Sequence, residues 1–209
     1  MKYYALAWDG GAYNLNIRPV YYDRDAHAQF RQTLGAAKRC AEMDYGELDY
    51  LGGKKPRFED MRFNLMGGYI VSEKFRDIVI PFLSSPDDVE WLYTPQREDP
   101  EMPFPCHDRY YHFNVLKTVA PEDCFSMSYW THEPTGKVFI KTLTFHPEAA
   151  QGLHVFKVDY RLNNFFISEV VLKALKKAKL FKIITKDMPT QLESLRSLYN
   201  SEVSRSKKP

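Results

Sequence analysis

Gly67–Leu83 reads G-G-Y-I-V-S-E-K-F-R-D-I-V-I-P-F-L, and Asn163–Leu180 reads N-N-F-F-I-S-E-V-V-L-K-A-L-K-K-A-K-L. Both stretches run from a turn through three apolar or aromatic residues to Ser-Glu and then an amphipathic segment. Tyr69-Ile70-Val71 and Phe165-Phe166-Ile167 favour a pleated strand. Ser72 and Ser168 can accept a hydrogen bond from a free first-turn N–H. Glu73 and Glu169 then stand where the helix dipole favours negative charge. The spacing therefore predicts a strand tip entering a helix, twice. Phe75, Ile78, Val79 and Phe82 make one helical face, and Pro81 stops that helix early. In the second copy Val171, Leu172, Leu175 and Ala178 oppose Lys173, Lys176 and Lys177.

Outward from these units the pattern is mostly strand and turn. Tyr3–Trp8 reads as a strand closed by Asp9-Gly10-Gly11, with Asn16–Tyr22 as its returning partner. A helix over Ala26–Met43, capped by Asp23 or Asp25, has Phe30, Leu34, Ala37 and Ala41 at helical spacing. Asp44–Phe58 reads as a long polar connection, a lobe boundary or mobile loop. Val89–Thr94 alternates, with Val89, Trp91 and Tyr93 on one side. Pro95–Asp108 reads as an irregular loop. Arg109–Val119, Cys124–Trp130, Lys137–Phe145, Leu153–Tyr160 and Phe181–Thr185 read as strands, with a hairpin turn at Pro134–Lys137. Gln191–Tyr199 reads as a terminal helix and Glu202–Pro209 as a solvated tail. Hairpin-linked strands with a few inserted helices imply an α+β fold with a largely antiparallel sheet and two Ser-capped helices on it. The expected divisions are an N-terminal strand–helix lobe at 1–55, an α+β domain at 56–190, and a C-terminal segment at 191–209.

Bulk composition narrows the function. A chain of 209 residues with 44% hydrophobic content has ample core, and a net charge of +2 does not suit a protein that coats nucleic acid. The three cysteines follow no disulfide framework spacing, as expected of free thiols in a reducing cytoplasm. No stretch approaches the ~20 apolar residues of a membrane span. Cys106, His107, His112, Cys124 and His132 are not spaced as zinc ligands. No nucleophile elbow or phosphate loop is present, so no cofactor is expected. Lys173, Lys176, Lys177, Lys179, Lys182 and Lys186 form a basic face that raises nucleic-acid association as an alternative function. The acidic stretch Asp87, Asp88, Glu90, Glu98, Asp99 and Glu101, opposed by Arg97, suits a protein partner better.

Some of these segments also resemble a known family. Val71-Ser72 opens a helix, and Asp88–Pro95 gives a D-V-E-W-L-Y-T-P strand. Tyr110-Tyr111-His112-Phe113-Asn114-Val115-Leu116 precedes Asp123. Val155-Phe156-Lys157-Val158 and then Ile167-Ser168-Glu169 follow. This order resembles the bacterial immunity proteins of polymorphic toxin systems, a group first catalogued as a domain of unknown function and later named after a Myxococcus immunity protein. The resemblance covers Pro56–Met188. It departs at Pro81, and at Leu180-Phe181-Lys182, where the family often has glycine.

The resemblance implies a non-enzymatic protein that binds and blocks a cognate toxin; a cytoplasmic location is the expectation from the cysteine usage and the lack of a long apolar run. The resemblance also implies structural roles for Ser72, Asn114, Asp123 and Ser168, and it leaves self-association open. Recognition is then expected on the Asp44–Phe58 and Pro95–Asp108 loops. Aromatic anchors are expected among Trp91, Tyr93, Tyr110 and Tyr111, about half of which strand alternation turns inward. Asp99 and Glu101 are the accompanying charged candidates.

Overall fold

The computed structural model describes residues 1–7, 17–20, 23–43, 46–50, 58–64, 68–101, 109–133, 136–158, 165–180 and 183–187. The fold is α+β, built from two main sheets with helices against them. In the four-stranded sheet the order is Met61–Asn64 (β4), Gly68–Ser72 (β5), Tyr110–Val115 (β7), Val89–Thr94 (β6), all antiparallel. The five-stranded sheet runs Thr185–Asp187 (β13), Tyr3–Leu6 (β1), Phe165–Ser168 (β12), Val155–Val158 (β11), Thr118–Val119 (β8). Its β8–β11 pair is parallel and its other pairs are antiparallel. Phe125–His132 (β9) and Lys137–Phe145 (β10) form the expected hairpin, with Gly136 at φ 63 in its turn.

The two Ser-Glu units behave as their residues dictate. Ser72 Oγ accepts from Phe75 N at 3.2 Å and starts Glu73–Val79 (α2). Ser168 Oγ accepts from Val171 N at 3.4 Å and starts Glu169–Lys177 (α4). The hydroxyls are held in turn, Ser72 by Asp60 Oδ1 at 2.6 Å and Ser168 against His154 Nδ1 at 2.8 Å. Pro81 sits in a single 3-10 turn, Ile80–Phe82, that ends the first unit. Phe75 and Val79 of α2, and Val171, Leu172 and Leu175 of α4, enter one core with Tyr69, Tyr111 and Phe113 of one sheet and Phe165 and Ile167 of the other. Edge-on ring contacts such as Phe75–Phe113, 5.5 Å between centroids, lock it. A smaller core on the far face of the five-stranded sheet joins Tyr3, Phe156 and Phe166 to Cys124 and Phe125.

The N-terminal third differs from its sequence reading. Ile17–Val20 (β2) pairs with Glu47–Tyr50 (β3), and not with β1, which lies between β12 and β13. The expected loop over 44–58 therefore contains a strand. Its apolar Leu48 and Tyr50 are buried, which a two-residue spacing in a polar stretch did not announce. Asp23 caps Arg24–Gly35 (α1), accepting from Asp25 N and Ala26 N, and this helix is shorter than its apolar spacing suggests. It stops because Ala37 turns left-handed at φ 51 and Lys38 N donates back to Thr33 O. Strand β4 lies where the sequence pattern named no element, and Pro121–Cys124 (α3) is one helical turn. The terminal helix at 191–199, the tail at 202–209, and Cys106 and His107 lie outside the described residues.

Lys179, after α4, also adopts a left-handed conformation, φ 55, where glycine carries no Cβ penalty. Lys179→Gly is expected to raise stability by about 0.5–1 kcal/mol. Ser72→Ala and Ser168→Ala are each expected to lower it by about 1–2 kcal/mol. Urea melts of the three variants check both signs.

Candidate interaction surface

Much of what looked reactive in the sequence faces inward. β7 is buried along its whole length because both faces of its sheet are covered. Tyr111, Phe113 and Val115 face the main core. On the opposite face lie Tyr110, His112 and Asn114. There Phe30 and Leu34 of α1 pack with Cys40 and Leu92, and the Phe30 and His112 rings meet edge-on at 5.2 Å. Gly68 lets α1 approach, since a Cβ there would come within 2.8 Å of Leu34 Cδ2.

A buried polar cluster ties this cover down. The Glu90 carboxylate accepts from Cys40 N at 2.8 Å, Ala41 N at 3.1 Å and Asn114 Nδ2 at 2.8 Å. Asn114 Nδ2 also donates to Lys38 O at 2.8 Å. Lys157, fully buried on β11, donates from Nζ to Leu34 O at 2.8 Å, where the α1 dipole favours a cation. Its ammonium also stands 4.9 Å from the Phe165 ring centroid. Burial pulls the Lys157 amine down to about 8, opposed by the Cys40 thiol. Burial first, then the Glu90 carboxylate, pushes Cys40 up to about 12. Burial likewise pushes Cys124 up to about 11, so both thiols are poor nucleophiles.

The acidic stretch is consequently thinner than it reads. Asp88 and Glu90 are buried and hydrogen-bonded, Asp88 accepting from Ser85 N at 2.9 Å. Asp87 pairs with Arg39. Glu98 and Glu101 remain exposed, and Asp99, half-buried, accepts from Glu101 N at 2.9 Å.

The sequence-predicted aromatics separate. Tyr110 is 1% exposed and packs with Leu48 and Ile70, so it is a core residue and leaves the candidate surface. Trp91 is half-buried and stacks on Phe113 at 5.1 Å. Tyr93 is 46% exposed, edge-on to Tyr111 at 5.8 Å. Tyr111 is itself buried, its hydroxyl 3.3 Å from Glu73 Oε1 and its ring 4.4 Å beneath the Arg76 guanidinium. Arg76 also donates to Asp77 Oδ1 from Nε at 3.1 Å and from a terminal nitrogen at 2.9 Å. Tyr93, Tyr111, Arg76, Glu73 and Asp77 thus form one aromatic and charged patch at the end of the four-stranded sheet.

Residues 16–189 match the Immunity protein family (Imm11). The chain belongs to this family. The match reaches back to residue 16, so the Imm11 pattern includes α1 and β3, which cover the second face of the sheet. No curated protein matches the chain.

Other features of this Imm11 chain have structural explanations. Among the described residues no three His, Cys, Asp or Glu side chains are placed to hold a metal ion. No described helix is long and apolar enough to cross a membrane. His146 Nε2 lies 2.8 Å from Ser126 Oγ, but Glu148 stands 3.5 Å from Nδ1, and Ser126 sits in a regular strand. His146 N donates to Cys124 O at 2.7 Å, so this trio fastens the hairpin end. The exposed face of α4 carries Lys173, Lys176 and Lys177, with Lys179 exposed just beyond it and Lys173 paired to Glu169 at 3.0 Å. Tyr129, 49% exposed on β9, is an aromatic surface residue that the sequence pattern did not single out.

The buried amine fixes a pH dependence. Between about 8 and the ordinary lysine value near 10.4, the unfolded chain holds a proton that the folded chain has shed. The destabilisation from Lys157 is therefore full below pH 8 and is relieved as pH rises through that window. The two thiols act oppositely above about pH 8.5, because the folded state keeps their protons. Comparing wild type with Lys157→Met cancels Cys124 and leaves Lys157 together with its coupling to Cys40. Wild type is expected to gain on the order of 2–3 kcal/mol relative to Lys157→Met between pH 7 and 10.5. Urea melts across that range check it, and parallel stability curves would contradict it.

Proposed function

We propose that the chain neutralises a cognate toxin of a bacterial polymorphic toxin system by binding it in the cytoplasm, with no bond-making of its own. Membership of the immunity family over residues 16–189 carries this reading. The side-chain geometry is compatible with it. The Cys40 and Cys124 thiols are buried and held protonated, and Ser72 and Ser168 are occupied as helix caps. The contact surface in this proposal is the end of β6 and the chain that follows it: Tyr93 as the main anchor, flanked by Trp91, Tyr111, Asp99 and Glu101. An exposed aromatic beside a partly buried one and an arginine is the composition of a binding hot spot. The lysines of α4 lie on the solvent face of a helix whose other face is fully used in packing. They need no polyanion to explain them.

Co-expression with the toxin domain encoded beside this chain's gene is expected to restore growth. Growth arrest despite soluble protein would overturn the proposal. Tyr93→Glu is expected to weaken toxin binding at least tenfold while leaving the urea midpoint nearly unchanged, because the residue is half-exposed.

A further inference from the structure

Tyr93 and Tyr111 stand directly opposite each other on β6 and β7. Leu116 N donates to Asp88 O at 2.8 Å, and main-chain bonding alternates along an antiparallel pair. Even-numbered residues of β6 therefore carry the bonds to β7. Tyr93–Tyr111 is one of the intervening pairs, whose side chains approach most closely. Their rings meet at 5.8 Å between centroids and 62° between planes. An exposed ring thus rests on a buried one.

Tyr111 is in turn held from α2. Its hydroxyl lies 3.3 Å from Glu73 Oε1, and the Arg76 guanidinium covers its ring at 4.4 Å. An arginine on a short surface helix ordinarily samples many rotamers, and ordering it costs entropy. Arg76 is ordered by its neighbours. Asp77 Oδ1 accepts from Nε at 3.1 Å and from a terminal nitrogen at 2.9 Å, and Glu73 Oε1 stands 3.5 Å from that nitrogen. The Arg76 side chain is accordingly only 24% exposed. Packing does not require this arrangement, because Phe75 and Val79 already supply the core face of α2. What it does is stack three layers, guanidinium, Tyr111 and Tyr93, from a charged frame on the helix out to the surface. A surface tyrosine without such support loses rotamer freedom when a partner seats on it, and affinity falls by that cost.

We infer that Arg76 is a positioning residue for the toxin contact: held by Glu73 and Asp77, it fixes Tyr111 and so keeps the Tyr93 ring in its binding orientation before the toxin arrives. This rests on the toxin-binding reading of Tyr93 and deepens it by bringing α2 into the contact. The partner surface that suits a fixed tyrosine is an apolar slot with a polar group at its end for the hydroxyl.

The free chain and its complex with the toxin domain it protects against both test this. In the free chain, three-bond couplings about the Tyr93 Cα–Cβ bond are expected to report one rotamer, and an average over several in Arg76→Ala. Arg76→Ala is expected to weaken toxin binding about three- to tenfold. Arg76→Lys is expected to lose a similar factor, because lysine keeps the charge but not the planar stack on Tyr111 or the fork to the two carboxylates. In a Tyr93→Ala background either substitution is expected to change affinity by less than about twofold, since no ring is left to hold. If Arg76→Ala fails to fold, Arg76→Lys carries both measurements. An undiminished loss in the Tyr93→Ala background, or unchanged Tyr93 couplings, would overturn the positioning role and leave toxin binding standing. Absence of any complex with wild type would overturn the toxin-binding reading, and the positioning role with it.

Discussion

The donation from Lys157 Nζ to Leu34 O joins a central strand of one sheet to the helix that covers the other. Around it, Glu90 gathers Cys40 N, Ala41 N and Asn114 Nδ2. Burying these charged groups is costly unless each finds partners. The partners lie on α1 and the chain after it, so the cost is offset only when that segment is seated. An apolar contact alone would tolerate sliding. This set of directed bonds fixes one position for residues 34–41 and hence for the cover of the sheet.

Closing both faces of the four-stranded sheet decides what the chain can offer a partner. Tyr110, His112 and Asn114 sit beneath α1 and the Cys40 segment, while Tyr111 and Phe113 sit beneath α2. The strand richest in aromatic and titratable residues is therefore inaccessible. The exposed Tyr93 of the outer strand and the chain from Pro95 to Glu101 remain. These positions hang on a rigid sheet but carry little of the core, so they can change without unfolding the protein. Membership of an immunity family fits such a division between a fixed scaffold and a replaceable surface.

The local devices were readable from sequence because they are local. Ser72 and Ser168 cap the helices they precede, Pro81 ends its helix, and Gly136 turns its hairpin. The α+β class followed from them. What failed depends on contacts distant in the chain. β3 exists because Leu48 and Tyr50 bury against β2, residues 95–97 and the sheet face, and nothing in its polar setting signals that. Alternation correctly placed Val89, Trp91 and Tyr93 together, but alternation alone does not say which side of β6 is the better covered. Glu90, Leu92 and Thr94 are the better-buried set, because α1 and its following segment lie over them. The same cover moved Tyr110 from candidate surface to core. Of the candidate site, Tyr93, Trp91, Asp99 and Glu101 were legible as residue types in an edge or loop context. The place of β6 as the outer strand was not, since no residue type encodes which strand ends a sheet.

Toxin activity titrated with this chain distinguishes surface complementarity from chemistry. Binding alone requires inhibition to grow linearly with added chain and to end at one molecule per toxin, with activity returning when the complex is separated. Complete inactivation by a small fraction of an equivalent, persisting after the chain is removed, would contradict it.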